Sequence, residues 1–491
     1  MGRGVDVSAG EAGGGHEDGH HGLRANALGL FESAVMGVAG VAPAYSIAAT
    51  TAVLIAAVGL SGPASLLWCG VAMFGIVWGF NYLGRIEVNS GASYAWVRRA
   101  LTPSLGYLAG WALVVSALIF MVAGSFPAGS VTLGLFSHSL ANNLLAVTIF
   151  GSAFFLLMVV AVLLGVRLTA NVQVAMSSIE LVLLLLFGIL AVVHGKEAHH
   201  FSWSWLSPTS FHGANGFFGG ALVAAFYYWG WDVTANLNEE TKSADVTPGL
   251  GGIIGVLVVF ALFELFTIGT NMVLTSGQVA HNAGDVLDIL GQQVWPGVGG
   301  KLIVVAVILS TVATLETTLI QLTRTLYAMG RDHTLPSALG RIHPRWRTPA
   351  VATVVAAVLS IGLFVGSNYI GSLSNVLSDA VNAIGLQIAV YYGLAGLSVV
   401  ILYRRQLFRS VANFIFIGLW PFVGAVFMFV MFGKSIPGLT ATAQAVGLGA
   451  LGLGLIPMAI AWARRVPYFK RVRPDERLAP EPGDPAAVEI Y

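Results

Sequence analysis

One cysteine, Cys69, stands in 491 residues. That excludes an intramolecular disulfide framework and a metal centre built on several thiolates. Charge is scarce as well. Asp, Glu, Lys and Arg make up 10% of the chain against 56% hydrophobic residues, and mean hydropathy is +0.80. A chain of this composition cannot assemble an ordinary water-facing surface, so its solvent must be largely lipid. The apolar runs lack the period-two alternation that a lipid-facing β-barrel needs, which leaves helices. Also missing are an HExxH pair, a nucleophile elbow and a Walker loop. With no catalytic constellation, an enzyme is not expected, nor a cofactor, a metal centre or a nucleic-acid partner.

The first 26 residues are rich in Gly, His and acids and contain no apolar stretch, so they are read as a disordered tail and not as a cleavable signal peptide. His16, His20 and His21 could ligate a metal there, but a solvated tail is the preferred reading. From Pro467 to the end, the charged, proline-rich stretch PYFKRVRPDERLAPEPGDP reads as a second soluble tail (467–491).

What the chain has in abundance is glycine, 60 residues, and long apolar windows. Small residues let membrane helices approach closely where no hydrophobic effect drives their packing. A membrane helix needs about 20 mostly apolar residues. Twelve windows qualify: roughly 28–57, 63–83, 104–136, 143–165, 172–193, 215–237, 250–276, 300–328, 348–366, 376–402, 411–433 and 440–463. An even count places both tails on one side of the membrane. Of the 24 Lys and Arg, only Lys196, Lys301 and Lys434 fall on the other side. Under the positive-inside rule, both tails are then expected to be cytoplasmic in a multi-pass protein of the cell (inner) membrane.

Two windows carry breaks. In the first, MGVAGVAPAYS (36–46) combines Gly37 and Gly40 with Pro43, which removes a backbone donor near the middle of the helix. Unwound backbone at this depth is tolerated where it lines a polar cavity or is buried in protein, so a break points to a binding site. Pro43 fits the first turn of a restarted half-helix, whose N-terminus offers free N–H groups to an anion; the alternative is a simple proline kink. In the sixth window, AFYYWGWDVTANLNEE (225–240) sets an aromatic cluster around Gly230, with Asp232 next to it. Freed carbonyls and aromatic faces in such a segment can hold an ammonium. The two breaks lie about 190 residues apart, each in the first helix of a five-helix block, as expected of an inverted repeat. The halves would be about 28–194 and 214–402, with extra helices at about 411–463, all inside one transporter domain, 27–466.

Four stretches in order resemble the amino acid–polyamine–organocation (APC) permease superfamily. They are MGVAGVAP in the first window; GRIEVNSGASYAWVRRALTPSLGYLAGW at 84–111; YYWGWDVTANLNEETKSADVTPG at 227–249; and RTLYAMGRDHTLPSALGRIHPRWRTP at 324–349. The resemblance implies an all-α, five-plus-five inverted-repeat fold with discontinuous helices 1 and 6 and two extra C-terminal helices. It also implies alternating access around a central site for an amino acid or amine. Carried over by position, a substrate carboxylate would meet backbone N–H groups around Gly37, Val38, Ala39 and Gly40. The amine would meet carbonyls near Phe226, Tyr227, Trp229 and Gly230. Phe226 matches the gating aromatic, and Asp232 an acidic position just past the break. The chain departs from many proton-coupled relatives in helix 5, where VQVAMSSIELVLLLLFG presents Glu180 in place of a lysine. Coupling ion and substrate charge stay open, as do symport, exchange and a homodimer.

Glu180, Glu264 and Glu316 lie near the centres of their windows, where no Lys or Arg does. Intramembrane carboxylates are costly and are functional candidates by default, as proton carriers or cation ligands. Glu180, Asp232 and Glu316 are the coupling candidates, with a neutral interhelical hydrogen bond as the plainer alternative for each glutamate. An acid-only interior also keeps an inorganic-cation permease on the same fold in play. A large side chain at Gly40 is expected to fill cavity space.

Overall fold

The computed structural model describes residues 22–194, 198–211, 213–281, 286–369, 373–470 and 478. His16, His20, His21 and most of both expected tails lie outside the described residues. Among those residues, regular structure is helical apart from one isolated bridge between Leu28 and Thr241. In chain order the helices are α1 (Leu30–Val41), α2 (Pro43–Val58), α3 (Gly62–Ile86), α4 (Ser93–Ala100), α5 (Pro103–Gly134), α6 (His138–Ala141), α7 (Leu144–Leu164) and α8 (Val166–His194). They continue with α9 (Gly213–Tyr227), α10 (Val233–Asn236), α11 (Thr247–Val273), α12 (Ser276–His281), α13 (Val286–Val294), α14 (Gly299–Arg331), α15 (Ala350–Ser367) and α16 (Leu373–Leu402). Two last apolar stretches, Val411–Gly438 and Ala441–Ala463, each contain a π-helical turn.

Among the described residues, ten helical stretches are long and apolar enough to cross a membrane. The expected twelve are met in part. The first two windows merge into Leu30–Ile86, 57 residues broken at Ala42 and turned at Gly59–Ser61. The sixth window carries only the 15-residue α9 before its chain unwinds.

Local chemistry explains the helix starts. Pro43, Pro103 and Pro248 sit in the first turns of α2, α5 and α11, where a missing N–H costs nothing and the fixed φ suits the helix. Thr102 caps α5 by accepting from the Leu105 N–H. α1, α5, α14 and α16 are central, and α14 is buried over nearly its whole second half. Peripheral helices instead turn large apolar side chains outward, including Leu145, Leu157, Val182 and Val358. That belt is suited to lipid tails, not to water.

The short helix α4 packs on α5 and α16. Against it lies the last helical turn among the described residues, Pro467–Phe469. Tyr468 stacks on Tyr94 with centroids 4.5 Å apart, and Arg98 Nε donates to the Tyr468 carbonyl at 2.9 Å. Burial pushes both phenols well above their ordinary range. The stretch expected to begin a free tail at Pro467 is therefore packed through its first residues.

Candidate functional site

The first break is a single residue. Ala42 adopts the left-handed conformation, φ 53° and ψ 67°, between α1 and α2. Gly37, Val38, Ala39 and Gly40 all fall inside α1, and their side of the break ends in carbonyls: Gly40 O accepts from Thr314 Oγ1 at 3.1 Å and Val41 O from Ser46 Oγ at 2.8 Å. The N–H groups freed by the break belong to the first turn of α2, because an α-helix leaves its leading donors without partners. They are already engaged. The Ala44 N–H donates to Glu180 Oε1 at 3.0 Å, Tyr45 N–H to Ser310 Oγ at 3.1 Å, and Ser46 N–H to Ala42 O at 2.8 Å. Glu180 is fully buried, the Ser310 hydroxyl lies beside its carboxylate, and its Oε2 has no partner among the described residues.

The second break runs from Tyr228 to Asp232, with Gly230 at φ +106°. A Cβ on Gly40 would fall on the Gly230 carbonyl, and one on Gly230 would fall on the Gly40 carbonyl. Here only glycine lets the two backbones meet. Gly40 thus faces a second backbone and not an open cavity, which corrects the expectation that a larger side chain there would occupy cavity space. Gly37 packs less tightly on α11, where an added Cβ would lie 3.3 Å from the Gly251 carbonyl oxygen and 3.7 Å from Gly255 Cα.

The aromatics of the second break are mostly anchors. Tyr227 and Thr51 share a hydroxyl–hydroxyl bond of 2.9 Å, Tyr228 OH donates to Leu66 O at 3.0 Å, and Trp229 Nε1 donates to Tyr391 OH at 2.6 Å. Asp232 Oδ1 accepts from Tyr392 OH at 2.8 Å. Phe226 differs. Its ring borders a cavity of about 440 Å³ together with Tyr45, Thr50, Ser130, Val307 and Asn382. Among the described residues, no Asp, Glu, Lys or Arg lines that cavity. Among the described residues its lining comes from α2, α5, α9, α14 and α16, with none from α1 or α10.

The opposite side is closed. Arg324 is completely buried and grips Glu240 with two bonds, Nε to Oε2 at 2.9 Å and Nη2 to Oε1 at 3.1 Å. Arg331 pairs with Glu239 at 3.0 Å, and Glu239 also accepts from the Ser90 N–H at 2.8 Å. Asn236 Nδ2 donates to Ser90 O at 2.7 Å and to Thr325 Oγ1 at 3.1 Å. The chain ahead of α1 is tied in as well, through Ala27 N–H to Glu240 O at 2.8 Å and Lys242 N–H to Leu28 O at 2.8 Å. An acid-only interior is therefore corrected: one arginine lies within it, neutralised by Glu240.

Of the three coupling candidates, Glu180 touches the first break and Asp232 lies in the second. Glu316 does neither. It accepts from Gln173 Nε2, linking α14 to α8. Glu264 is partly buried on α11, with no partner for either oxygen among the described residues. Sequence reasoning passed over Tyr45, Thr50, Ser310, Thr314 and Asn382. A signal existed for two of them: Ser310, Thr314, Thr317, Gln321 and Thr325 recur at three- and four-residue spacing, and all are buried, so they form one polar stripe along α14. Through Ser310 and Thr314 that stripe meets the backbone of the first break.

Comparison with known proteins agrees with this architecture. The family model described as amino acid permease matches residues 28–447. The branched-chain amino acid permease BcaP of Bacillus subtilis (strain 168) is 27% identical over 306 residues, 58% of this chain and 64% of that protein. The low-affinity putrescine importer PlaP of Escherichia coli (strain K12) is 24% identical over 313 residues, 61% of this chain and 66% of that protein. The chain thus spans a little under two thirds of the length of each. The human b(0,+)-type amino acid transporter 1 is 25% identical over 369 residues, 71% of either chain. With its family match running across both broken helices, this chain belongs to the amino acid permease family of the APC superfamily.

Proposed function

We propose that this protein is a secondary transporter for amino acids or related amines, working by alternating access in the cell membrane with both termini cytoplasmic. In this reading the chain crosses the bilayer twelve times, helices 1–5 and 6–10 form an inverted repeat, and the breaks at Ala42 and Gly230 are equivalent positions in the two halves. One observation carries it: a cavity of about 440 Å³, lined by Tyr45 and Phe226 beside the two broken helices, lies on one side of the breaks, while the buried Arg324–Glu240 pair holds the other side together. A site reachable from one face at a time is what alternating access requires. Uptake of labelled amino acids and amines into proteoliposomes tests the reading, and no uptake of any of them would overturn it. Glu180, Asp232, Glu264 and Glu316, which form no ion pair among the described residues, favour an inorganic-cation permease as a second reading. Potassium and sodium flux in the same vesicles, without organic substrate, would establish that instead.

Phe226 is the residue proposed to close over bound substrate, since its ring lines the cavity just before the second break. Phe226→Ala should speed substrate escape and weaken binding about tenfold, given the apolar area and cation–π face removed. Wild-type affinity and transport rate in that variant would place the gate elsewhere.

Glu180 is the proposed coupling group, because it joins helix 5 to the first break through Ala44. Glu180→Gln keeps size and hydrogen-bonding capacity but can neither titrate nor carry charge. The variant should bind and exchange substrate yet lose accumulation driven by an ion gradient. Vesicles of Glu180→Gln that concentrate substrate as well as wild type, under imposed proton and sodium gradients, would remove Glu180 from the coupling step.

A further inference from the structure

The leading N–H groups of a restarted half-helix are the natural receptor for a carboxylate. In this protein they are filled from within. Pro43 has no N–H, and those of Ala44, Tyr45 and Ser46 go to Glu180, Ser310 and Ala42. Glu180 is a carboxylate on the helix N-terminus, fully buried, with its second oxygen unpartnered among the described residues. Tyr45, the residue after Ala44, lines the cavity, which among the described residues offers hydroxyls, one amide and the rings of Tyr45 and Phe226, but no cation.

We infer that Glu180 occupies the position a substrate carboxylate would need, and that the site therefore takes amines lacking a carboxylate in preference to amino acids. The inference rests on the transport reading above and narrows its substrate class. A carboxylate entering this cavity would find its backbone donors taken and would meet a like charge at low dielectric, with no cationic side chain to offset its desolvation. An ammonium meets the reverse: aromatic faces in the lining and a negative group behind Ala44, both of which favour a cation. Nothing about the amine end depends on an α-carboxylate to orient it. The cavity volume suits a short aliphatic chain with one or two ammonium groups.

Two matched pairs isolate the carboxylate: ornithine against 1,4-diaminobutane, and leucine against 3-methylbutylamine, each pair differing only in that group. Competition binding to the purified full chain should favour the amine of each pair at least tenfold. In Glu180→Ala the Ala44 N–H becomes free, so the preference should shrink severalfold or reverse, while Glu180→Gln, which still accepts from Ala44 but carries no charge, should fall between. A wild-type preference for ornithine or leucine overturns the inference and leaves the transport reading standing. An unchanged ratio in monodisperse Glu180→Ala overturns the role given to Glu180. Should none of the four bind, the transport reading fails and the inference with it. The wild-type measurement alone decides if neither variant folds.

Discussion

Replacing Glu240 with alanine is expected to destabilise the protein by about 3–5 kcal/mol, the range seen when one partner of a buried ion pair is removed. Arg324 and Glu240 have side chains 1% and 0% exposed. Their two parallel hydrogen bonds satisfy the guanidinium edge and both carboxylate oxygens. Deleting the acid leaves a guanidinium with no comparable partner, and arginine cannot shed its proton to escape. Arg324→Ala should cost less, because the Glu240 carboxylate left behind can take up a proton where a guanidinium cannot lose one. The double replacement by leucine should recover most of the loss, because well-packed apolar residues can substitute for such a pair without penalty. Thermal melts of detergent-solubilised protein read all three variants. A single variant that melts with the parent would mean water or a neighbour has taken the missing partner's place. The pair also ties the segment after α10 to α14, so any variant that survives should leak across the sealed side.

Gly40→Ala is expected to force the two breaks apart. The new carbon would fall on the Gly230 carbonyl, with Val233 close behind. A backbone carbonyl cannot rotate away as a flexible side chain can, so the two half-helices must separate. Overpacking of this kind costs about 1–3 kcal/mol, occasionally more. Gly230→Ala should do worse, since it meets the Gly40 carbonyl and must also hold φ +106°, a strained conformation for any residue with a Cβ. Gly362→Ala is the control, because nothing lies within 4 Å of that position; in a helix interior it should be neutral or stabilising by about 0.5–1 kcal/mol. The contrast is read by melting temperature and by substrate binding together. Equal behaviour of Gly40→Ala and Gly362→Ala would mean the breaks do not touch.

Much of this protein was legible one window at a time. Hydropathy over about 20 residues located the apolar helices, and Pro43 placed the first restart because a missing N–H acts within one turn. Gly230 and its aromatic neighbours marked the second break, and the family motifs tied both to a permease. The helix count was less secure. The twelve windows are met in part, because among the described residues the first two form one 57-residue run and the sixth carries only the 15-residue α9.

What the sequence by itself determined, then, is the class of protein, the helical elements and the two places where they break. Each of these follows from the composition or backbone preference of adjacent residues. The tertiary structure decided which groups the breaks expose and what meets them. Glu180 reaches Ala44 across 136 residues of chain, Thr314 reaches Gly40 across 274, and Arg324 finds Glu240 across 84. The N–H donors at the first break proved to be those of Ala44 and Tyr45, beyond the Gly37–Gly40 segment, because a helix that stops presents carbonyls and the one that restarts presents N–H groups. Pairing over such separations is set by how helices pack, and a carboxylate in an apolar window looks the same in the sequence whether it caps a half-helix, as Glu180 does, or bonds a glutamine on a neighbouring helix, as Glu316 does.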